Sequence, residues 1–229
     1  MGTSYGPNIV IDELFFYVDA NNTQSYPGSG TTWTDLVCSN SLTIQGATWN
    51  SAGRFLFDGV DDYARISSSD FAYTTDFSVS FWYRPISKSS YARFVDYSHY
   101  GGSSHGWFMG WYSSTSTIEF RLEQVASSGS LVSGALTHNG TTWYHICGVY
   151  SPSNGWAKLY VNGSFYVLSL TSGSQSYTSV DYLTVGARSN PSLTEYSNMD
   201  LPIVMIHNKM LVAEDVEQNY NAHKSRFGL

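Results

Sequence analysis

Three groups of residues in this chain have types and spacings that suit chemistry. Asp58, Asp61 and Asp62 fall within one short run, Asp58-Gly59-Val60-Asp61-Asp62. Hard carboxylate oxygens gathered in a turn suit Ca2+, which takes about 6–8 oxygen ligands. Asp-Gly and Asp-Asp also build turns with no ion, because their side chains accept from nearby backbone N–H groups. These three are the calcium candidates; no cofactor is firmly indicated, with Ca2+ the one option the residues raise. The nearest approach to a paired-carboxylate centre is Glu119-Phe120-Arg121-Leu122-Glu123. Retaining glycoside hydrolysis needs two carboxylates about 5–5.5 Å apart. Here Arg121 shares the strand face with the acids and neutralises them rather than splitting their pKa values. The run reads as a solvated strand face and the chain as a non-enzyme. No serine sits in a nucleophile elbow. The histidines show no close pair at metal spacing, and His99 and His105 lie in a Gly/Ser-rich loop.

The third group is Tyr97-Ser98-His99-Tyr100-Gly101-Gly102-Ser103-Ser104-His105-Gly106-Trp107-Phe108-Met109-Gly110-Trp111-Tyr112. Rigid rings mixed with small polar residues give contact area at low entropy cost. Tyr97, His99, Tyr100, His105, Trp107 and Trp111 are therefore candidate carbohydrate or partner contacts. The other reading sends Trp107, Met109 and Trp111 into the core by alternation and leaves a Gly-rich hairpin tip.

The elements that must position these residues read as strands. Phe77–Tyr83 alternates, with Phe77, Val79, Phe81 and Tyr83 on one face. Ile118–Leu122 repeats the pattern, and Tyr144–Tyr150 is an apolar strand that buries Cys147. Ala157–Val161 and Phe165–Leu168 flank Asn162-Gly163-Ser164, a hairpin signal because a type I′ turn needs two positive φ angles. Asp181–Val185 and Leu201–His207 are further strands, and Pro202 suits only a strand start or an edge. One helix is expected over Ala213–Ala222, with acids in its first turn, Lys224 and Arg226 at its end, and Val212, Val216 and Tyr220 on one stripe. Many short strands and one short helix imply an all-β, antiparallel two-sheet jelly-roll sandwich over residues 1–229 as a single domain.

Composition bounds the partners. Charged residues make up 13% of the chain, about half the usual share of roughly 25%. The net charge of -7 and the absence of a basic run exclude a nucleic-acid surface and an anionic membrane surface as partners. The N-terminus shows no signal-peptide pattern, and no apolar run approaches the ~20 residues of a membrane span. Cys38 and Cys147 read as free thiols.

Five segments in order resemble the laminin-G-like, concanavalin-A-like jelly rolls. They are Phe55–Ala64, Phe77–Pro85, Thr142–His145 with Lys158–Gly163, Leu183–Arg188, and Val204–Leu211 leading into the helix. One departure lies near Met199-Asp200-Leu201, where the wider family places a glycine before the penultimate strand and this chain has none. The resemblance implies a lectin-type fold, and calcium binding is common among such domains. Related jelly rolls include endo-glucanases with an acid triad on one strand, and the Arg at 121 departs from that pattern. The two ends, Phe16–Asn21 with Ser25–Leu36 and Gln218–Ala222 with Arg226–Leu229, resemble a subgroup found in virion structural proteins of tailed bacteriophages, marine ones included. That resemblance implies a place on a virion, with capsid or other virion proteins as partners and a homo-oligomer, a trimer among the options. A head decoration or small accessory protein is the first expectation, with 1–11 and 224–229 as docking tails. The alternative is a carbohydrate-binding module for host-surface glycans, as in part of a tail fibre.

Overall fold

The structure is a computed structural model that describes residues 8–38, 40–87, 91–99, 105–112, 117–123, 128–170, 180–188 and 192–229. Its strands are β1 (Leu14–Asp19), β2 (Thr32–Trp33), β3 (Leu42–Gln45), β4 (Thr48–Asn50), β5 (Arg54–Asp58), β6 (Tyr63–Ser67), β7 (Phe77–Pro85) and β8 (Tyr91–His99). They continue as β9 (His105–Tyr112), β10 (Thr117–Glu123), β11 (Ser128–Ala135), β12 (Tyr144–Ser151), β13 (Trp156–Val161), β14 (Ser164–Leu170), β15 (Tyr182–Val185) and β16 (Asn198–His207). Helix α1 (Ala213–His223) and a 3-10 turn over Lys224–Phe227 follow. No helix among the described residues is long and apolar enough to cross a membrane.

The strands form two antiparallel sheets, as a jelly-roll sandwich requires. The first runs β14-β13-β12-β7-β16-β5-β4 with β1 also on β16, and the second runs β11-β10-β9-β8-β15-β6-β3-β2. Alternation places Phe77, Val79, Phe81 and Tyr83 in the core between them, against Phe94, Trp107, Met109, Trp111 and Phe120 from the second sheet. The Asn162-Gly163 hairpin forms as its residues require, with φ of 51° and 77°.

Pro202 departs from expectation, since it lies inside the long strand β16 rather than at its start. The register with β7 shifts between Asp200 and Ile203, so no ladder bond is asked of the missing N–H. The same point is where β16 exchanges its other neighbour. Asn198–Leu201 pair with β5, whereas Ile203–His207 pair with β1.

The outer face of the first sheet is covered as well. Val216 and Leu211 join Val10, Cys147, Val149 and Tyr160 in one buried cluster. Trp82, Ile203 and Met205 form a second, with Tyr220, Phe227 and Trp143 packed on it. Arg226 grips both Asp19 oxygens at 2.8 and 3.0 Å and donates to Gly53 O at 2.6 Å. Val10 N donates to Asn219 Oδ1 at 2.8 Å. Of the two expected docking tails, residues 8–11 and 224–229 thus pack on the chain's own sheet, leaving Ile11 and Leu229 as their exposed apolar side chains. Residues 1–7 lie outside the described residues. Val212 departs from the expected helix stripe: it is the N-cap and is exposed. Both cysteines are free, Cys38 exposed and Cys147 buried.

Candidate functional site

The β5–β6 turn brings Asp58, Asp61 and Asp62 together, with one carboxylate oxygen from each lying within 4.8 Å of the others. Local chemistry fixes the turn. Asp58 Oδ1 accepts from Val60 N at 2.8 Å, and Asp62 Oδ2 accepts from Asp58 N at 2.9 Å. Gly59 takes a positive φ of 80°. Gly46 makes room for the buried carboxylate, because a Cβ there would sit 2.0 Å from Asp62 Oδ1. Burial raises the Asp62 pKa; the bond from Asp58 N lowers it, and the charges of Asp58 and Asp61 raise it again. Among the described residues no Lys, Arg or His forms a salt bridge with any of the three. Concentrated, uncompensated carboxylate charge fits a hard divalent cation such as Ca2+, and main-chain carbonyls, water or ligand hydroxyls would complete its shell.

A half-buried aromatic surface adjoins this turn on the outer face of the second sheet. Outward positions on β6 and β15 put Arg65 between two rings, 5.1 Å from the Tyr63 centroid and 4.5 Å from that of Tyr182. Tyr196 is close enough to Tyr63 and Asp61 that both add to the upward push that burial gives its hydroxyl. Tyr63, Arg65, Tyr182 and Tyr196 were not singled out in the sequence. Outward alternation of Tyr63 and Arg65 on β6 was the signal available; the partners on β15 and beyond come from distant sequence.

The Tyr97–Tyr112 stretch forms the β8–β9 hairpin, and its large rings point inward. Tyr97, Trp107 and Trp111 are buried in the core. Their polar atoms are used there: Tyr97 OH donates to Ser68 O at 3.0 Å, and Trp107 Nε1 donates to Phe71 O at 3.1 Å. Trp111 packs on His138 with ring centroids 4.2 Å apart. A ring with no exposed face cannot stack on a sugar, so these three do not form a platform in this structure. His99 and His105 stand opposite each other across β8 and β9, half-buried, with centroids 6.4 Å apart. Tyr100 lies outside the described residues.

The Glu119–Arg121 face is also not solvated. Glu119 is buried, with Arg121 Nη1 3.7 Å from its carboxylate. Register explains the cover: Arg93, Gly110 and Glu119 align across β8, β9 and β10, and Asp96, Phe108 and Arg121 form the next row. Asp96 is fully buried; desolvation pushes its pKa up to about 7 although Arg93 and two bonds from Ser98 pull it down. Arg93 lies 3.6 Å from Asp96 and 2.7 Å from Glu195, and Arg188 lies 2.8 Å from the other Glu195 oxygen.

Two antiparallel sheets in jelly-roll order, with a polar, partly aromatic outer face, define a lectin-type sandwich. The profile of the Concanavalin A-like lectin/glucanases superfamily matches residues 57–217, and the chain belongs to that superfamily. No curated protein sequence matches it. Among solved structures it is similar to Trypanosoma rangeli sialidase in complex with sialic acid, at 13% identity and a TM-score of 0.66, over 93% of this chain and 33% of that one. It is similar also to the binding domain of botulinum neurotoxin DC in complex with SialylT, at 17% identity and a TM-score of 0.68, over 92% of this chain and 52% of that one. The chain thus spans about a third to a half of these proteins, and the likeness shows the fold.

Proposed function

We propose that this chain is a non-catalytic carbohydrate-binding module. The observation that carries the reading is the convergence of Asp58, Asp61 and Asp62 within 4.8 Å, beside the Tyr63–Arg65–Tyr182 surface. A cation in such a turn offers coordination to sugar hydroxyls, and neighbouring rings offer faces for the sugar's C–H groups. Support comes from the lectin-type fold and from similar structures solved with sialic acid and SialylT. The face where a paired-carboxylate centre would sit is unsuited to catalysis. There Glu119 is buried and matched by Arg121, and Asp96 by Arg93.

A glycan array run in Ca2+ and then in chelator tests the reading. Binding is expected in calcium and should be lost in chelator and in Asp61→Asn. Calcium at ~100 times its Kd should raise unfolding stability by about 2.7 kcal/mol, a Tm gain of roughly 5–10 °C. An array blank in both conditions rejects the module.

A second reading places the chain on the particle of a tailed bacteriophage, as a head decoration or accessory protein in contact with capsid proteins or other copies of itself. The observation favouring it is that the two end segments carrying that resemblance meet in the fold, Arg226 Nη1 donating to both Asp19 oxygens at 2.8 and 3.0 Å. Quantitative mass spectrometry of purified particles should then find the chain at copy numbers matching a lattice or a vertex, and its absence from particles removes this reading.

A further inference from the structure

Glu195 is a side chain in a position that suits glycine. Its φ is 54°, a left-handed conformation that costs a non-glycine residue roughly 1 kcal/mol or more. It lies just ahead of β16. Its backbone is fixed: Arg93 N donates to Glu195 O at 2.9 Å, and Ser197 Oγ donates to Arg93 O at 2.6 Å. Its carboxylate is held by two arginines, one on each oxygen, Arg93 Nε at 2.7 Å and Arg188 Nη1 at 2.8 Å. Two guanidinium groups closing on one carboxylate is how proteins seat an acidic ligand.

The surroundings are over-supplied with donors. Arg93 Nη1, Thr184 Oγ1 and Thr194 Oγ1 are buried with no hydrogen-bond partner. Arg93 itself is almost wholly buried and lies over Phe108, its guanidinium carbon 3.2 Å from the ring centroid. The clamp nevertheless reaches solvent at its outer end, where the Glu195 side chain is 18% exposed and that of Arg188 12%. Because the backbone is anchored on β8, rotation about the Glu195 side-chain bonds alone would free both arginines.

The geometry points to a carboxylate-binding subsite that Glu195 fills from within: the Arg93–Arg188 clamp receives the carboxylate of an acidic saccharide of the uronic-acid kind when Glu195 turns out. Exchange of one carboxylate for another leaves the charge balance with Asp96 and Glu119 unchanged. The incoming group also brings a ring oxygen and hydroxyls within reach of the spare donors. The saccharide class rests on the glycan-binding reading above, but the clamp does not.

Calorimetric titration of the full chain with sodium glucuronate, glucose and sodium acetate tests both parts. Glu195→Gln keeps the side-chain shape and removes the internal competitor. It should bind glucuronate about tenfold or more tighter than wild type, the worth of a charged hydrogen bond or two, with glucose unchanged. Adding Arg188→Gln should abolish the gain. Glu195→Gly removes the same carboxylate while relieving the backbone, so the test survives if the glutamine variant is poorly folded. Glucuronate binding that is no tighter in either variant, or a gain that persists without Arg188, overturns the clamp. Equal gains for acetate and glucuronate keep the clamp and reject the saccharide class. A glucuronate-specific gain in a chain whose calcium-dependent array is blank keeps this subsite and rejects the calcium-mediated reading.

Discussion

Trp82→Ala should lower the unfolding free energy by about 3–5 kcal/mol and Tm by roughly 10 °C or more. Trp82 is fully buried on the outer side of the first sheet and lies in the middle of an aromatic stack. Phe227 stacks on it at 4.3 Å, Tyr220 at 5.6 Å and His145 at 5.3 Å. Phe227 in turn touches Trp143 at 4.6 Å. Removing the indole leaves the helix α1 and the 3-10 turn without the surface they share, so the loss is one of coupled packing. Trp82 Nε1 has no partner in its buried site, which returns some desolvation cost on deletion and sets the effect toward the lower end of the range. Urea unfolding measures the loss. Limited trypsin digestion locates it, because cleavage after Lys224 and Arg226 should accelerate before the sheets open. A variant with unchanged stability and unchanged cleavage at those sites would mean that the stack does not hold the C-terminal segment.

Acid should unfold the protein through its buried histidines. His145 is enclosed between Trp82 and Tyr220, with both ring nitrogens unpartnered. Burial, with a smaller push from His223, depresses its pKa to about 3. Between the unfolded value of about 6.5 and that lower value, the unfolded chain takes up a proton that the native chain refuses. Stability therefore falls as pH drops through this window, by about 1.4 kcal/mol per pH unit for this group alone. Burial moves His207 and His223 in the same direction. Asp96 opposes them: with a native pKa of about 7, it binds a proton in the folded state before the unfolded state does, and so adds stability as pH falls from 7 toward 4. His145→Phe preserves the stack and removes one refused proton. Relative to wild type it should be more acid-resistant by about 2 kcal/mol at pH 5 than at pH 7, whereas Asp96→Asn should steepen the acid loss. Parallel curves of stability against pH for all three proteins would sink the assignment.

What was legible in the sequence was what a few neighbouring residues decide. The Asn162-Gly163 turn, the alternation of Phe77–Tyr83 and the acids at the start of α1 each carry their cause within one turn or one strand. The Asp58–Asp62 triad was legible for the same reason, since a single β5–β6 turn assembles it. Pro202 was misplaced because the bulge that tolerates it is set by two different strands competing for β16, which alternation cannot express. Trp107 and Trp111 could be read as platform or core until the sheet they face was known. Glu119 looked solvated because its own strand gives no hint that Arg93, Phe108 and the segment carrying Glu195 lie over and beside it. The Arg65–Tyr182 contact and the Glu195 clamp join residues from opposite ends of the fold, and only the register of β6, β15 and β8 brings them together.

The partner exchange at Pro202 also sets the order in which this protein can be made. β16 is the strand that completes the centre of the first sheet, with β7 along one side and both β5 and β1 along the other. All of those neighbours leave the ribosome before Asn198–His207 is synthesised. Until then the nascent chain carries unpaired edges on β1, β5 and β7 and an uncovered Trp82 face, a state open to chaperones and to other nascent chains. Pairings such as Leu14 with His207 close a very long loop between the first and last strands, so the step that completes this sheet is slow and cooperative.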